Sequence, residues 1–155
     1  MKKTVLAAAV IISALSTAAS AQPKAVGGRL AFGLEASYQH TVRHADFIEA
    51  NLGVPYFSSL SATATYNFMI AQPVWTARGD WGFYAGPGLS VGYAFSSYDT
   101  MIFGIVGQIG LEYSFWFPLQ ISVDLRPQFG IGYGAGFYNE GLLGFIPTVG
   151  VRYRF

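Results

Sequence analysis

Three observations predict an all-β fold, a transmembrane antiparallel up-and-down β-barrel of eight strands. Apolar residues alternate with small or polar ones at period two, in runs of up to 13 to 15 residues. Soluble strands usually have about 5 or 6 residues, and a tilted membrane strand needs about 9 to 11. Hydrophobic residues make up 52% of the chain and charged residues only 11%, against roughly 25% charged in an ordinary soluble domain. Yet no stretch after residue 21 holds the roughly 18 uninterrupted apolar residues of a spanning helix. A closed barrel is then the remaining way to satisfy backbone groups in lipid.

Met1 to Ala21 reads as a secretory signal peptide, and residues 22–155 as the barrel. Lys2 and Lys3 form the basic start, and Val5 to Leu15 is an apolar centre too short to span. Ala19-Ser20-Ala21 is the cleavage pattern, with Gln22 next. The chain contains no cysteine, so disulfides, thiolate metal sites and a lipoprotein attachment residue are excluded. A formal charge of +1 leaves neither a basic nucleic-acid footprint nor an acidic tail.

Strand runs follow at about 28–39, 46–53, 58–69, 81–95, 101–114, 119–133 and 145–155. In the fourth, Trp81, Phe83, Ala85, Pro87, Leu89, Val91, Tyr93 and Phe95 oppose Gly82, Tyr84, Gly86, Gly88, Ser90, Gly92 and Ala94. In the sixth, Leu119, Ile121, Val123, Leu125, Phe129 and Ile131 oppose Gln120, Ser122, Asp124, Arg126, Gln128 and Gly130. Seven runs leave the count open. A hairpin over 24–42, turning near Phe32-Gly33, gives eight strands; placing 46–53 in a loop gives six. Eight is favoured because six would be unusually narrow and single-chain bacterial barrels have even numbers. Pro87, Pro127 and Pro147 stand within runs, where a missing N–H predicts bulges or bends.

The charges orient the faces. With the apolar face outward, Arg29, Glu35, Glu49, Glu112, Asp124, Arg126, Arg152 and Arg154 all point inward. Lys24, Arg43, Asp46, Arg78, Asp80, Asp99 and Glu140 fall in turns or the N-terminal tail. An Arg or Lys facing lipid at mid-membrane costs about 2–4 kcal/mol, so this distribution suits lipid contact. It is the inverse of a soluble carrier barrel, whose lumen is apolar. Aromatic residues sort to the strand ends. Tyr66, Phe68, Trp75, Trp81, Phe83, Tyr113, Phe115, Trp116, Phe117, Tyr153 and Phe155 gather at one end. Tyr56, Phe57, Tyr93, Phe95, Tyr98, Phe103, Phe137 and Tyr138 gather at the other. Two such girdles match two membrane interfaces. With periplasmic termini, Ala71–Gly79 and Phe115–Pro118 are periplasmic turns, while Ser96–Thr100 and Ala135–Gly141 are short extracellular loops.

The ending Val151-Arg152-Tyr153-Arg154-Phe155 resembles the signal read by the outer-membrane barrel-assembly machinery. Gly82-Phe83-Tyr84-Ala85-Gly86-Pro87-Gly88, Glu35-Ala36-Ser37-Tyr38-Gln39-His40, Phe117-Pro118-Leu119-Gln120 and Val149–Phe155 resemble the small porin-like outer-membrane β-barrel proteins of Bacteroidetes. The likeness extends over most of residues 26–155. It implies a Gram-negative outer-membrane location, but its short Gly- and aromatic-rich motifs carry little about function.

The inward charges balance, four acids against four arginines, which predicts a salt-bridged polar core filling a narrow lumen. A gated channel for small solutes or ions is the alternative. Glu112 and Asp124 face inward on adjacent strands, at similar heights above the Phe115–Pro118 turn. With Arg126 beside them they read as ion-paired, not as an acid–base couple. His40 and His44 have the i,i+4 spacing of a helical zinc pair, but they fall on a strand end and a turn, so no metal site is expected. Gly130, Gly132, Gly134 and Gly136 lack the Lys and helix of a phosphate loop; they are expected to make room for Tyr84 and Arg126. The expectation is therefore a non-enzymatic, monomeric barrel with no cofactor, metal or nucleic acid, in contact with outer-membrane lipid. Its role is structural or surface contact, with a narrow porin as the alternative.

Overall fold

A computed structural model of the chain describes residues 23–30, 33–55, 59–95, 100–132, 136–139 and 146–155. The predicted signal peptide, Asp99 and Glu140 lie outside these residues. The strands are β1 (Lys24–Leu30), β2 (Gly33–Arg43), β3 (Asp46–Pro55), β4 (Ser59–Ala71), β5 (Asp80–Ala94) and β6 (Thr100–Ser114). They continue with β7 (Leu119–Leu125), β8 (Gln128–Gly132), β9 (Gly136–Asn139) and β10 (Thr148–Arg154). β7 and β8 form one stave, and β9 and β10 another. The result is eight staves in up-and-down order, closed by the β1–β10 and β5–β6 pairings. Closure removes the free edges that an open sheet would present.

Backbone pairing fixes the stagger. Ser122 pairs with Gly150, and the ladder continues through Arg29, Glu35, Gly53, Ser61, Gly92 and Ile102 to Gly132. One circuit thus returns to the same stave ten residues along, from position 122 to 132. The offset is even, so an inward residue meets an inward residue at closure. Such a stagger in eight strands tilts them by about 35–45° and leaves an interior wide enough for side chains. The period-two pattern sets the facing. Leu89, Ile105 and Ile70 on the outer face are 68%, 63% and 65% exposed, while the buried set is mostly polar. Only Ala25, Phe47, Tyr84 and Val106 are buried apolar residues among those described.

The 24–42 hairpin exists as β1 and β2, so the run at 28–39 belongs to two staves and the count is eight. Lys24 is part of β1 and buried, not in a tail. The expected run 119–133 is broken at Arg126-Pro127, yet without a register slip: Ile109 faces Leu125 and Val106 faces Gln128. Gly107 N–H still donates to the Pro127 carbonyl at 3.0 Å. Pro87 makes no bulge; β5 runs through it, opposite Gly107, and the ladder to β4 passes over the Tyr66 and Asn67 rungs while keeping register. Pro147 precedes β10, which starts at Thr148 and not at 145. The segment expected as the loop 135–141 contributes β9, paired with β8. Phe129 pairs with Asn139 while Asp124 pairs with Thr148, so the last stave carries four more residues than its neighbour over this span.

Candidate functional site

Period two places Arg29 of β1, Glu49 of β3, Asp124 of β7 and Arg152 of β10 on the inner face, and the stagger brings them together. Each of these four side chains is 0% exposed. Arg29 donates to Glu49 through Nη1 and to Asp124 through Nη2. Arg152 donates to Glu49 Oε1 at 2.9 Å, to Ser37 Oγ at 2.9 Å and to Ser122 Oγ at 2.8 Å. Two positive and two negative groups therefore form a neutral ring. An unpaired ion at this depth would cost several kcal/mol, which the pairing and hydrogen bonds offset.

Neutral polar groups complete the ring. Gln39 Nε2 and Gln108 Nε2 donate to Glu49 Oε2 at 3.1 and 3.4 Å, and Tyr84 OH donates to Asp124 Oδ2 at 3.2 Å. Thr65 Oγ1 and Asn67 Nδ2 donate to Gln108 Oε1 at 2.7 and 3.2 Å. Tyr84 fits because its neighbour across the ladder is Gly110, where a Cβ would come within 2.5 Å of the phenol. Phe47 meets the Tyr84 ring edge-on at 5.1 Å. Together these buried side chains form one hydrogen-bonded network in the middle of the barrel interior.

Arg126 does not accompany Glu112 and Asp124 as expected; it crosses the lumen to Glu35 on β2. Nor do Glu112 and Asp124 share a height: Gly110 faces Asp124 and Ser122 faces Glu112, so Glu112 lies nearer the turn. Glu112 accepts from Gln120 Nε2 at 2.8 Å. With Arg154 it lines two small cavities at the end carrying the termini, of about 50 and 150 Å³. His44 lines the larger one, from a turn with φ of 49°. His40 sits on the opposite facing, stacked on Tyr38 at 6.5 Å, so the two histidines do not converge. Among the described residues no group of three His, Cys, Asp or Glu could hold a metal ion. Gly130 serves close approach to the Phe103 carbonyl and not room for Tyr84; Gly134 lies outside the described residues.

The sequence reading missed Gln39, Ser37, Gln108 and Ser122 as members of the ring. Their inward phase was the available signal, but polar residues of that phase are common along the whole chain. At the termini end, Trp75, Trp81, Tyr113, Phe115 and Phe117 form a continuous chain of ring contacts at 5.3, 4.7, 4.6 and 4.9 Å. At the other end Tyr93 and Phe95 are in contact at 5.5 Å, and Tyr56, Phe57 and Tyr98 lie outside the described residues. Comparison with protein-family models, with curated proteins and with solved structures found no match.

Proposed function

We propose that this chain is a small integral outer-membrane β-barrel with a structural or surface-contact role, exported by its N-terminal signal and folded in by the barrel-assembly machinery. One observation carries the reading: the barrel is inside-out relative to a soluble protein. Leu30, Leu89, Ile105, Val123 and Val149 stand exposed on the outer face, while four charged side chains are wholly enclosed. In water such an apolar surface would promote association, whereas lipid accommodates it. The aromatic chain at the termini end suits a membrane interface. The likeness of Val149–Phe155 and Gly82–Gly88 to porin-like barrels of Bacteroidetes agrees with this placement.

The mid-lumen ring of buried, paired charges favours a closed barrel over a pore. A decisive experiment is expression in a Gram-negative host, with membrane fractionation, heat-dependent gel mobility and planar-bilayer recording. The expected outcome is a heat-modifiable protein of the outer-membrane fraction without steady openings. Steady, ion-selective openings would favour the narrow porin, and recovery as a dissolved periplasmic protein would end the membrane reading. All three tryptophans, Trp75, Trp81 and Trp116, sit toward the termini end. In reconstituted bilayers their fluorescence should be quenched by lipids labelled near the headgroup and little by lipids labelled at the chain ends.

A further inference from the structure

Trp75, in the turn at 72–79, packs against the outside of the barrel. Its ring meets Trp81 and Phe83, on the outward phase of β5, at 5.3 and 5.4 Å. Trp81 stands opposite Tyr113 of β6, with the rings 4.7 Å apart. Tyr113 carries the contact on to Phe115 at 4.6 Å, and Phe115 touches Trp116 and Phe117 at 6.0 and 4.9 Å. Rings from two strands and two turns thus make one continuous plate on the outer wall at the termini end.

One charged residue is fixed against this plate. The Arg78 carbonyl accepts from Tyr113 OH at 2.9 Å and from Thr76 Oγ1 at 2.8 Å. Thr76 Oγ1 accepts in turn from Trp81 Nε1 at 3.2 Å. Gly79 follows with φ of 75°, a conformation that glycine adopts without steric cost. A Cβ there would also lie 2.5 Å from the Tyr113 hydroxyl. The turn therefore sets where the Arg78 side chain starts, and its guanidinium carbon lies 6.0 Å from the Trp116 ring centre.

A guanidinium over an indole gains from the negative ring face without using a hydrogen-bond donor, so its N–H fork stays available. Among the described residues no carboxylate forms an ion pair with Arg78, Asp80 included. The planar fork matches a phosphate, which it can hold by two parallel bonds. Around it Val74 and Trp116 are 93% and 63% exposed, an apolar flank beside the charge. A free anion would use the arginine and leave that flank bare, whereas a phospholipid uses both. We propose that Arg78 and the aromatic plate form a binding site for the phosphate headgroup of a membrane phospholipid in the leaflet at the termini end. The site rests on the membrane reading, which puts these rings at the headgroup level.

The test uses the whole barrel folded in a phosphate-free maltoside detergent. Dihexanoylphosphatidylglycerol is the probe, with inorganic phosphate and dihexanoylglycerol as half-probes. Binding is read from the Arg78 Nε–H and Trp116 Nε1–H resonances. The phospholipid should shift both saturably, and each half-probe should bind far more weakly. Arg78→Gln should weaken phospholipid binding by about tenfold or more, the factor that corresponds to one charge-assisted hydrogen bond. Arg43→Gln removes the same charge from the exposed end of β2 and should leave binding unchanged. The proposal is overturned by no saturable shift, by inorganic phosphate matching the phospholipid, or by equal losses in the two variants. Any of these in a protein that fractionates with the outer membrane removes the site alone. Recovery as a dissolved periplasmic protein removes the membrane reading and the site with it.

Discussion

Arg29 and Asp124, 95 positions apart in sequence, are joined by a hydrogen-bonded ion pair that no solvent reaches. Arg29 also holds Glu49, which Arg152 shares. The ring is neutral only as a whole. Arg29→Met should therefore strand a carboxylate and lower stability by about 3–5 kcal/mol. Arg29→Met combined with Asp124→Leu restores neutrality, with Glu49 still on Arg152, and should cost clearly less than the two single losses added. Urea unfolding of the barrel in lipid measures both. Strict additivity would mean that the pair is not coupled.

Val123 and Ser122 are sequence neighbours on opposite faces: Val123 is 44% exposed outward, and Ser122 is buried against Arg152. Val123→Arg should cost about 2–4 kcal/mol near mid-membrane and suppress assembly. Ser122→Ala loses one hydrogen bond to a charged group, about 1.5 kcal/mol, and should still assemble. The yield of heat-modifiable protein reads both, and equal tolerance would contradict the facing.

Gly110 and Gly28 predict opposite outcomes for the same substitution. A Cβ at Gly110 would lie 2.5 Å from the Tyr84 phenol and 2.6 Å from Asp124 Cβ, whereas at Gly28 the nearest atom is 3.7 Å away. Gly110→Ala should cost about 1–3 kcal/mol by overpacking, and Gly28→Ala should stay within about 0.5 kcal/mol. The shift in unfolding midpoint distinguishes them; matching shifts would show that Tyr84 is not packed there.

Much of this barrel was legible in the chain because β side chains alternate strictly. Leu89, Val123 and Val149 declared an outward face and Arg29, Glu49, Asp124 and Arg152 an inward one, from local pattern alone. The 24–42 hairpin was also open to reading, though its turn was not decisive. Partnership among the inward charges was not. Local spacing put Arg126 with Glu112 and Asp124, but it meets Glu35 from the far side of the lumen.

Alternation is a property of neighbours in sequence, and it specifies which way a side chain points without specifying its height. Height depends on the tilt and on the ten-residue offset at closure, seen between positions 122 and 132. That offset is set jointly by every inter-strand ladder. Tertiary closure therefore chose the ion pairs and gave Glu112 a glutamine in place of an arginine.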